Sequence, residues 1–272
     1  MRKNQVLSAN LNKKEPKNNG GKQKALKIIF LGTNGWFDTQ TGNTVCTLIK
    51  TDTCNIILDA GFGFAKADRY LDNTKPTGIF LSHIHLDHIV GLHALAKFKF
   101  PKGLSVYAPK SALKRLKKFI AQPFTLPLRD LPFKVKISGA LKKMRFAGVS
   151  IETLELVHAS DCLGYRFQCP SKIIAYCTDT GSCENIVKLG RNADMLITEC
   201  ALRKGQDDGG WPHLDPLQAA LLAKKSGAHR LVLTHFDADN HPTAKHRSLA
   251  EQQARKIFRK SIAAIDGLTI SL

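Results

Sequence analysis

No apolar run in this chain of 272 residues approaches the roughly 18 residues needed to cross a bilayer, so no membrane-spanning helix is expected. The N-terminus also has no apolar segment of the kind that directs secretion. CxxC pairs are missing as well. The seven cysteines (Cys46, Cys54, Cys162, Cys169, Cys177, Cys183 and Cys200) are odd in number and scattered. They point to reduced thiols in a cytoplasmic protein rather than to a disulfide framework or a cysteine zinc site. Acidic residues are few, 22 against 41 Lys and Arg, giving a net charge of +19 and a pI near 9.8. Such an excess favours polyanionic partners: nucleic acid, nucleotides or an anionic membrane surface.

Part of that charge carries little information. Residues 1–25 are rich in Lys, Asn and Gly, have Glu15 as their single acid and show no periodic apolar face. They are expected to form a disordered basic arm, solvated rather than dedicated to nucleic acid, and not a transit peptide. No internal repeat or low-complexity block interrupts residues 26–272, and the length suits one domain there.

What the chain does contain is concentrated in Ile79 to Leu92, IFLSHIHLDHIVGL. An apolar run, Ile79 to Leu81, gives way to HxHxDH, so a buried strand is expected to deliver four metal-competent side chains at its end. Alternate residues of an extended segment share a side, so His83 and His85 can converge on one ion. Asp87 and His88 follow where the chain should turn into a helix over Ile89 to Phe98, aimed at a neighbouring point. Two adjacent ions are the natural consequence.

The same device recurs along the chain. Segments 44–51 and 55–58 suit a hairpin that ends at Asp59, Ala60 and Gly61. Asp59 is either a turn former or a carboxylate that orients a ligand imidazole. Strand signals at 149–157 run into His158, a hairpin over 162–168 and 173–177 runs into Asp179, the strand 195–198 carries Glu199, and 231–234 ends at His235. His213 lies in GGWPHLDP, before a helix from about Pro216 to Lys225 that Gly227 stops. Between these lie a strand at 104–108, a loop marked by Pro123, Pro127 and Pro132, and a strand at 133–137. An amphipathic helix is expected over 111–122, with Leu113, Leu116, Phe119 and Ile120 on one face and Lys110, Lys114, Arg115, Lys117 and Lys118 on the other. That basic face is either solvated or a phosphate contact. A charged helix over 244–260 and an edge strand at 268–272 should close the fold.

With Asp59, HxHxDH, His158, Asp179, His213 and His235 in order, the chain from Leu26 onward resembles the metallo-β-lactamase superfamily. Within it, FLGTNG, SHIHLDHIVGL, HASDCLGYRF, YCTDTG, LITECAL, HLDPLQAA and LVLTHF are similar to the ribonuclease Z-like phosphodiesterases. The resemblance implies an α+β fold, a four-layer αββα sandwich in a single domain with a dinuclear site at one edge of its sheets. It implies that His83, His85 and His158 hold one zinc and Asp87, His88 and His235 the other, with Asp179 bridging. Manganese or iron would suit the same ligand types. Asp87, Glu199 and His213 are the expected catalytic residues, the last two through proton delivery, although His213 could instead only pack its loop. Two departures stand out. The long arm that grips tRNA in ribonuclease Z, inserted between the positions of His158 and Asp179, is missing, since about twenty residues separate them. Thr198 stands where that group has a histidine before its glutamate.

The expected function is therefore a binuclear zinc hydrolase acting on a phosphodiester, either nucleic acid or a cyclic nucleotide. Hydrolysis of a lactone, thiolester or β-lactam is the alternative, since those branches share the ligands. A non-catalytic nucleic-acid binder with a structural metal is the third reading, and a membrane is not among the expected partners. A homodimer is left open.

Overall fold

The computed structural model describes residues 25–272, so all but the last residue of the basic arm lies outside it. In chain order the strands are β1 (Lys27–Gly32), β2 (Asn34–Gly35), β3 (Cys46–Lys50), β4 (Asn55–Leu58), β5 (Thr77–Phe80), β6 (Leu104–Ala108), β7 (Val135–Gly139), β8 (Lys143–Phe146), β9 (Val149–Glu155), β10 (Leu163–Gln168), β11 (Ile173–Cys177), β12 (Met195–Glu199), β13 (Leu231–Thr234), β14 (Phe236–Asp237), β15 (Ser261–Ala263) and β16 (Thr269–Ser271). The α-helices are α1 (Leu86–Ile89), α2 (Leu113–Phe119), α3 (Glu184–Gly190), α4 (Pro216–Ser226) and α5 (Ala244–Arg255). One seven-stranded sheet runs β16-β1-β3-β4-β5-β6-β7 and a second runs β15-β13-β12-β11-β10-β9-β8.

Period-two alternation explains the layers. On β1, Ile28 and Phe30 join Ile49, Leu58 and Phe80 against Phe167, Tyr176 and Ile197 of the second sheet. The intervening Ile29 and Leu31, with Leu48, Ile57 and Ile79, face outward onto Phe64, Leu92, Leu95 and Leu116. On the far side, Ala175, Leu196, Leu231 and Leu233 meet Ile186, Leu189, Ala219 and Leu222 of α3 and α4. The central strands of both sheets are thus buried on both faces, which gives four layers: helices, sheet, sheet, helices.

Strand direction decides where the chemistry collects. The pairs β4–β5 and β5–β6 are parallel in the first sheet, as are β11–β12 and β12–β13 in the second. β9 and β11 are each antiparallel to β10 and therefore run the same way. The carboxyl ends of β9, β11, β12 and β13 accordingly lie on one edge, where loops can converge on a shared site.

Several expected elements take a different form. The helix expected after the histidine motif is one turn of α1 followed by a 3-10 helix, Val90–Lys97. Gly91 packs so tightly that a Cβ there would fall 2.1 Å from the Gly61 carbonyl oxygen, which leaves no room for a side chain at that contact. The basic helix is shorter than expected, a 3-10 turn (Lys110–Ala112) followed by α2; Leu116 and Ile120 are buried, while Lys114, Arg115, Lys117 and Lys118 are exposed. The C-terminal helix stops at Arg255 because the chain must turn back to pair Ser261 with Leu231, and Arg255 Nε donates to the Ser261 carbonyl across that turn. The strand expected at 133–137 lies at Val135–Gly139.

Candidate active site

Every sequence-predicted site residue except His213 lies in, or immediately after, a strand or the loop leading from it. Asp59 follows β4, His83 follows β5 after Leu81 and Ser82, and His158 follows β9. Asp179 follows β11, Glu199 ends β12 and His235 follows β13. His85 precedes α1, which presents Asp87 and His88 from its single turn. Asp59, Asp179 and His235 have φ of 54°, 56° and 49°, in the left-handed region that non-glycine residues rarely adopt. Such local strain persists only where the surroundings enforce it, and here it turns three polar side chains into one centre.

Two ligand-competent groups result. His83, His85, His158 and Asp179 offer one atom each, all within 4.8 Å of one another; Asp87, His88, His235 and Asp179 form a second such group. Asp179 belongs to both. Its Oδ2 lies 3.5 Å from His83 Nε2 and 3.3 Å from His88 Nε2, and its Oδ1 is 2.8 Å from His235 Nε2. Ring nitrogens also face one another, with His83 Nε2 2.9 Å from His85 Nδ1 and His88 Nε2 3.1 Å from His235 Nε2.

Asp59 organises the inner wall. Fully buried, it accepts hydrogen bonds from the Ser82 N–H at 2.7 Å, from the Ser82 hydroxyl, from Tyr176 Oη at 2.7 Å and from His88 Nδ1 at 2.9 Å. With Nδ1–H donating to Asp59, Nε2 of neutral His88 carries a lone pair, and that lone pair faces the carboxylates of Asp87 and Asp179 at 3.3 Å. Lone pair against carboxylate is repulsive unless a proton or a metal cation lies between them. The wider charge balance agrees: among the described residues, Asp59, Asp87 and Asp179 pair with imidazoles and with no lysine or arginine. A buried anionic group left in that state is costly, so the residues present fit divalent metal. Protonation states point the same way. Burial, then the charge of His88, holds His83 well below the usual imidazole range, in its neutral, ligating form. Burial opposes charge on His88, but Asp87, Asp179 and Asp59 outweigh it and raise its proton affinity, which marks a position that attracts positive charge.

His213 and Glu199 form a third group with Asp179, again within 4.8 Å. Glu199 is buried and accepts from the Thr180 N–H at 2.5 Å, the Ala201 N–H at 3.2 Å, the Leu214 N–H at 3.1 Å and His213 Nδ1 at 2.8 Å. Those four donors fix the carboxylate, and the carboxylate fixes the imidazole. The loop is anchored downstream by Asp215, which caps α4 in a reciprocal capping box with Gln218. The His213 ring stands 5.7 Å from that of His158 and 6.3 Å from that of His235, over both ligand groups. Burial lowers its proton affinity, but the Glu199 charge and hydrogen bond more than compensate and raise it.

Sequence reasoning missed Ser82 and Tyr176. Ser82 precedes the histidine motif and could have been suspected; Tyr176 lies in an apolar strand that gives no such signal. The hairpin of β10 and β11 fills most of the stretch between His158 and Asp179, in keeping with the short spacing.

A family model for the beta-lactamase superfamily domain matches residues 54–236, and the chain belongs to that superfamily. Among individual proteins it is 25% identical over 220 residues to the probable metallo-hydrolase YhfI of Bacillus subtilis, covering 78% of this chain and 87% of that one. It is 28% identical to the ribonuclease Z of Limosilactobacillus fermentum, covering 87% and 95% respectively. The solved structure of Bacillus subtilis YhfI superposes with a TM-score of 0.78 at 22% identity, over 91% of this chain and all of that one. Human tRNase Z, short form, superposes at 0.69 and 21%, over 90% and 98%. The fold is that of the metallo-β-lactamases, and the chain is a metallo-hydrolase with ribonuclease Z relatives. Among the described residues no helix is long and apolar enough to cross a membrane.

Proposed function

We propose that this chain is a binuclear metal-dependent phosphodiesterase acting on nucleic-acid or nucleotide phosphodiesters. His83, His85 and His158 would hold one divalent ion and Asp87, His88 and His235 the other, with Asp179 shared between them. Zinc suits this set of imidazoles and carboxylates, and manganese or iron would be accepted by the same groups. Two such ions supply an acidified water and neutralise charge that develops on the phosphoryl oxygens. The protein's own share is separate. Asp59 holds His88 in one tautomer and one orientation, and Glu199 holds His213 so that its Nε2 can give a proton to the departing oxygen.

The observation that carries the reading is the His213–Glu199 pair beside Asp179, because an alkoxide leaving from phosphorus needs a proton donor at that place. The ribonuclease Z relatives and the net charge of +19 support a phosphodiester over an uncharged substrate. The test is a panel of the metal-loaded protein on phosphodiester, lactone, thiolester and β-lactam substrates. Cleavage of bis-aryl phosphates or cyclic nucleotides in preference to the others is expected. Turnover of a lactone, thiolester or β-lactam with inert phosphodiesters would overturn it.

A further inference from the structure

The chain has two tryptophans, and neither is buried. Trp36 is 65% exposed and Trp211 is 56% exposed. Large aromatic rings left in water at a reaction centre are candidates for stacking on a ligand. Trp211 adjoins one proposed ligand group through its ring, and Trp36 is tied to the other through its backbone. The Trp211 ring lies 6.2 Å from His85 and 6.4 Å from His158. The Trp36 backbone N–H donates to Asp87 Oδ2 at 2.9 Å.

The backbone holds both residues in place while leaving their rings free. Trp36 has φ of 70°, a strained value for a bulky residue, kept by that hydrogen bond and by its neighbour. Gly35 lies against the His235 ring, where a Cβ would come within 2.4 Å of it, and β2 pairs in parallel with β14 immediately after His235. Trp211 is two residues before His213, and Pro212 between them packs on Gly181, where a Cβ would meet Pro212 Cβ at 2.9 Å. The Trp36 ring touches Phe37 edge-on, with centroids 5.1 Å apart.

A phosphodiester has two arms, and an in-line attack sends them to different sides of phosphorus. We propose that Trp36 and Trp211 form a two-ring clamp that stacks an unpaired nucleobase on each arm of the diester, so that the substrate is a single-stranded nucleotidyl phosphodiester with a base on both sides of the scissile bond. This rests on the phosphodiesterase reading above. Beyond His158 lies a cavity of about 730 Å³ with room for a continuing strand, its lining balanced in charge between Lys110 and Lys142 and the acids Glu155 and Asp161. Base–aromatic stacking tolerates any base, so the clamp selects for an unstacked strand and not for a sequence.

The test uses the full metal-loaded chain and thymidylyl-(3′→5′)-thymidine, with the same dinucleotide lacking one or both bases for comparison. Trp211→Leu and Trp36→Gly are the variants. Glycine keeps the N–H that reaches Asp87 and relieves the positive φ, so that variant is not handicapped in folding. Each is expected to raise KM for the dinucleotide about 5- to 100-fold with kcat little changed, and to lose the preference for the base on its own arm. A second readout is independent of turnover. Because all the tryptophan fluorescence comes from these two residues, thymidine 5′-monophosphate should quench it and inorganic phosphate should not. Unchanged KM in both variants, or equal quenching by the two ligands, would overturn the clamp while leaving the phosphodiesterase reading intact. A wild-type chain that cleaves no phosphodiester would instead overturn the reading on which the clamp rests.

Discussion

Replacing His213 by alanine separates proton delivery from every other role that residue could have. His213 Nδ1 lies 2.8 Å from a buried Glu199 carboxylate that four donors immobilise, and the imidazole side chain is 18% exposed. It is therefore held in one place at the edge of the site with Nε2 available. The Glu199 charge raises its proton affinity above the ordinary imidazole value despite burial, so the protonated form persists to higher pH and is lost as pH rises through that raised value. A general acid contributes about 10²- to 10⁴-fold when the leaving group needs a proton. His213→Ala should thus slow cleavage of a dinucleotide, whose leaving group is a sugar alkoxide, by that factor. It should slow a nitrophenyl phosphodiester far less, because nitrophenolate departs unprotonated. In the wild type the dinucleotide rate should fall on the alkaline side, and Glu199→Gln should move that limb to lower pH. Equal losses on both substrates, or loss of a metal ion from the alanine variant, would refute the assignment.

Asp59→Asn keeps the left-handed backbone, which asparagine tolerates, but replaces a carboxylate that accepts from Ser82, Tyr176 and His88. Metal affinity at the His88 group should drop about 10- to 100-fold, measured by chelator competition, with the His83 group retained. His241, buried against Phe236, has its proton affinity pushed down to about 4, by burial first, against a bond to the Leu202 carbonyl and with the Arg247 charge adding to the depression. The folded state therefore takes up this proton later than the unfolded chain does as pH falls. The associated stability is fully present above the ordinary imidazole range near pH 6.5 and is lost between there and about pH 4, by at most about 3 kcal/mol. His241→Gln should flatten that acid limb in chemical denaturation, and an unchanged limb would refute it.

The fold was legible where apolar strands end in polar residues. β5 with His83, β12 with Glu199 and β13 with His235 follow from that pattern, because a strand buried on both faces is nearly all apolar and its end is the first place a polar group can go, while β9 before His158 alternates buried and partly exposed residues. The structure brings all the residues so identified to one edge. Other features left no local trace. α3 is only seven residues long, Glu184–Gly190, and its apolar positions were too few to mark a helix. β8 and β15 are strands of four and three residues whose pairing depends on distant partners. The 3-10 winding after α1 includes Gly91, which packs against Gly61, a contact between segments thirty residues apart. Tyr176 shares an apolar strand with core residues, and its hydroxyl contact to Asp59 exists only once the two sheets face each other.

The central claim is that one chain holds two divalent ions through seven side chains. Elemental analysis of protein loaded with zinc, combined with anomalous scattering from its crystals, tests it directly. Two ions per chain are expected, one among His83, His85 and His158, the other among Asp87, His88 and His235, with Asp179 between them. A fully loaded protein with a single ion, or with none at these residues, would contradict the account.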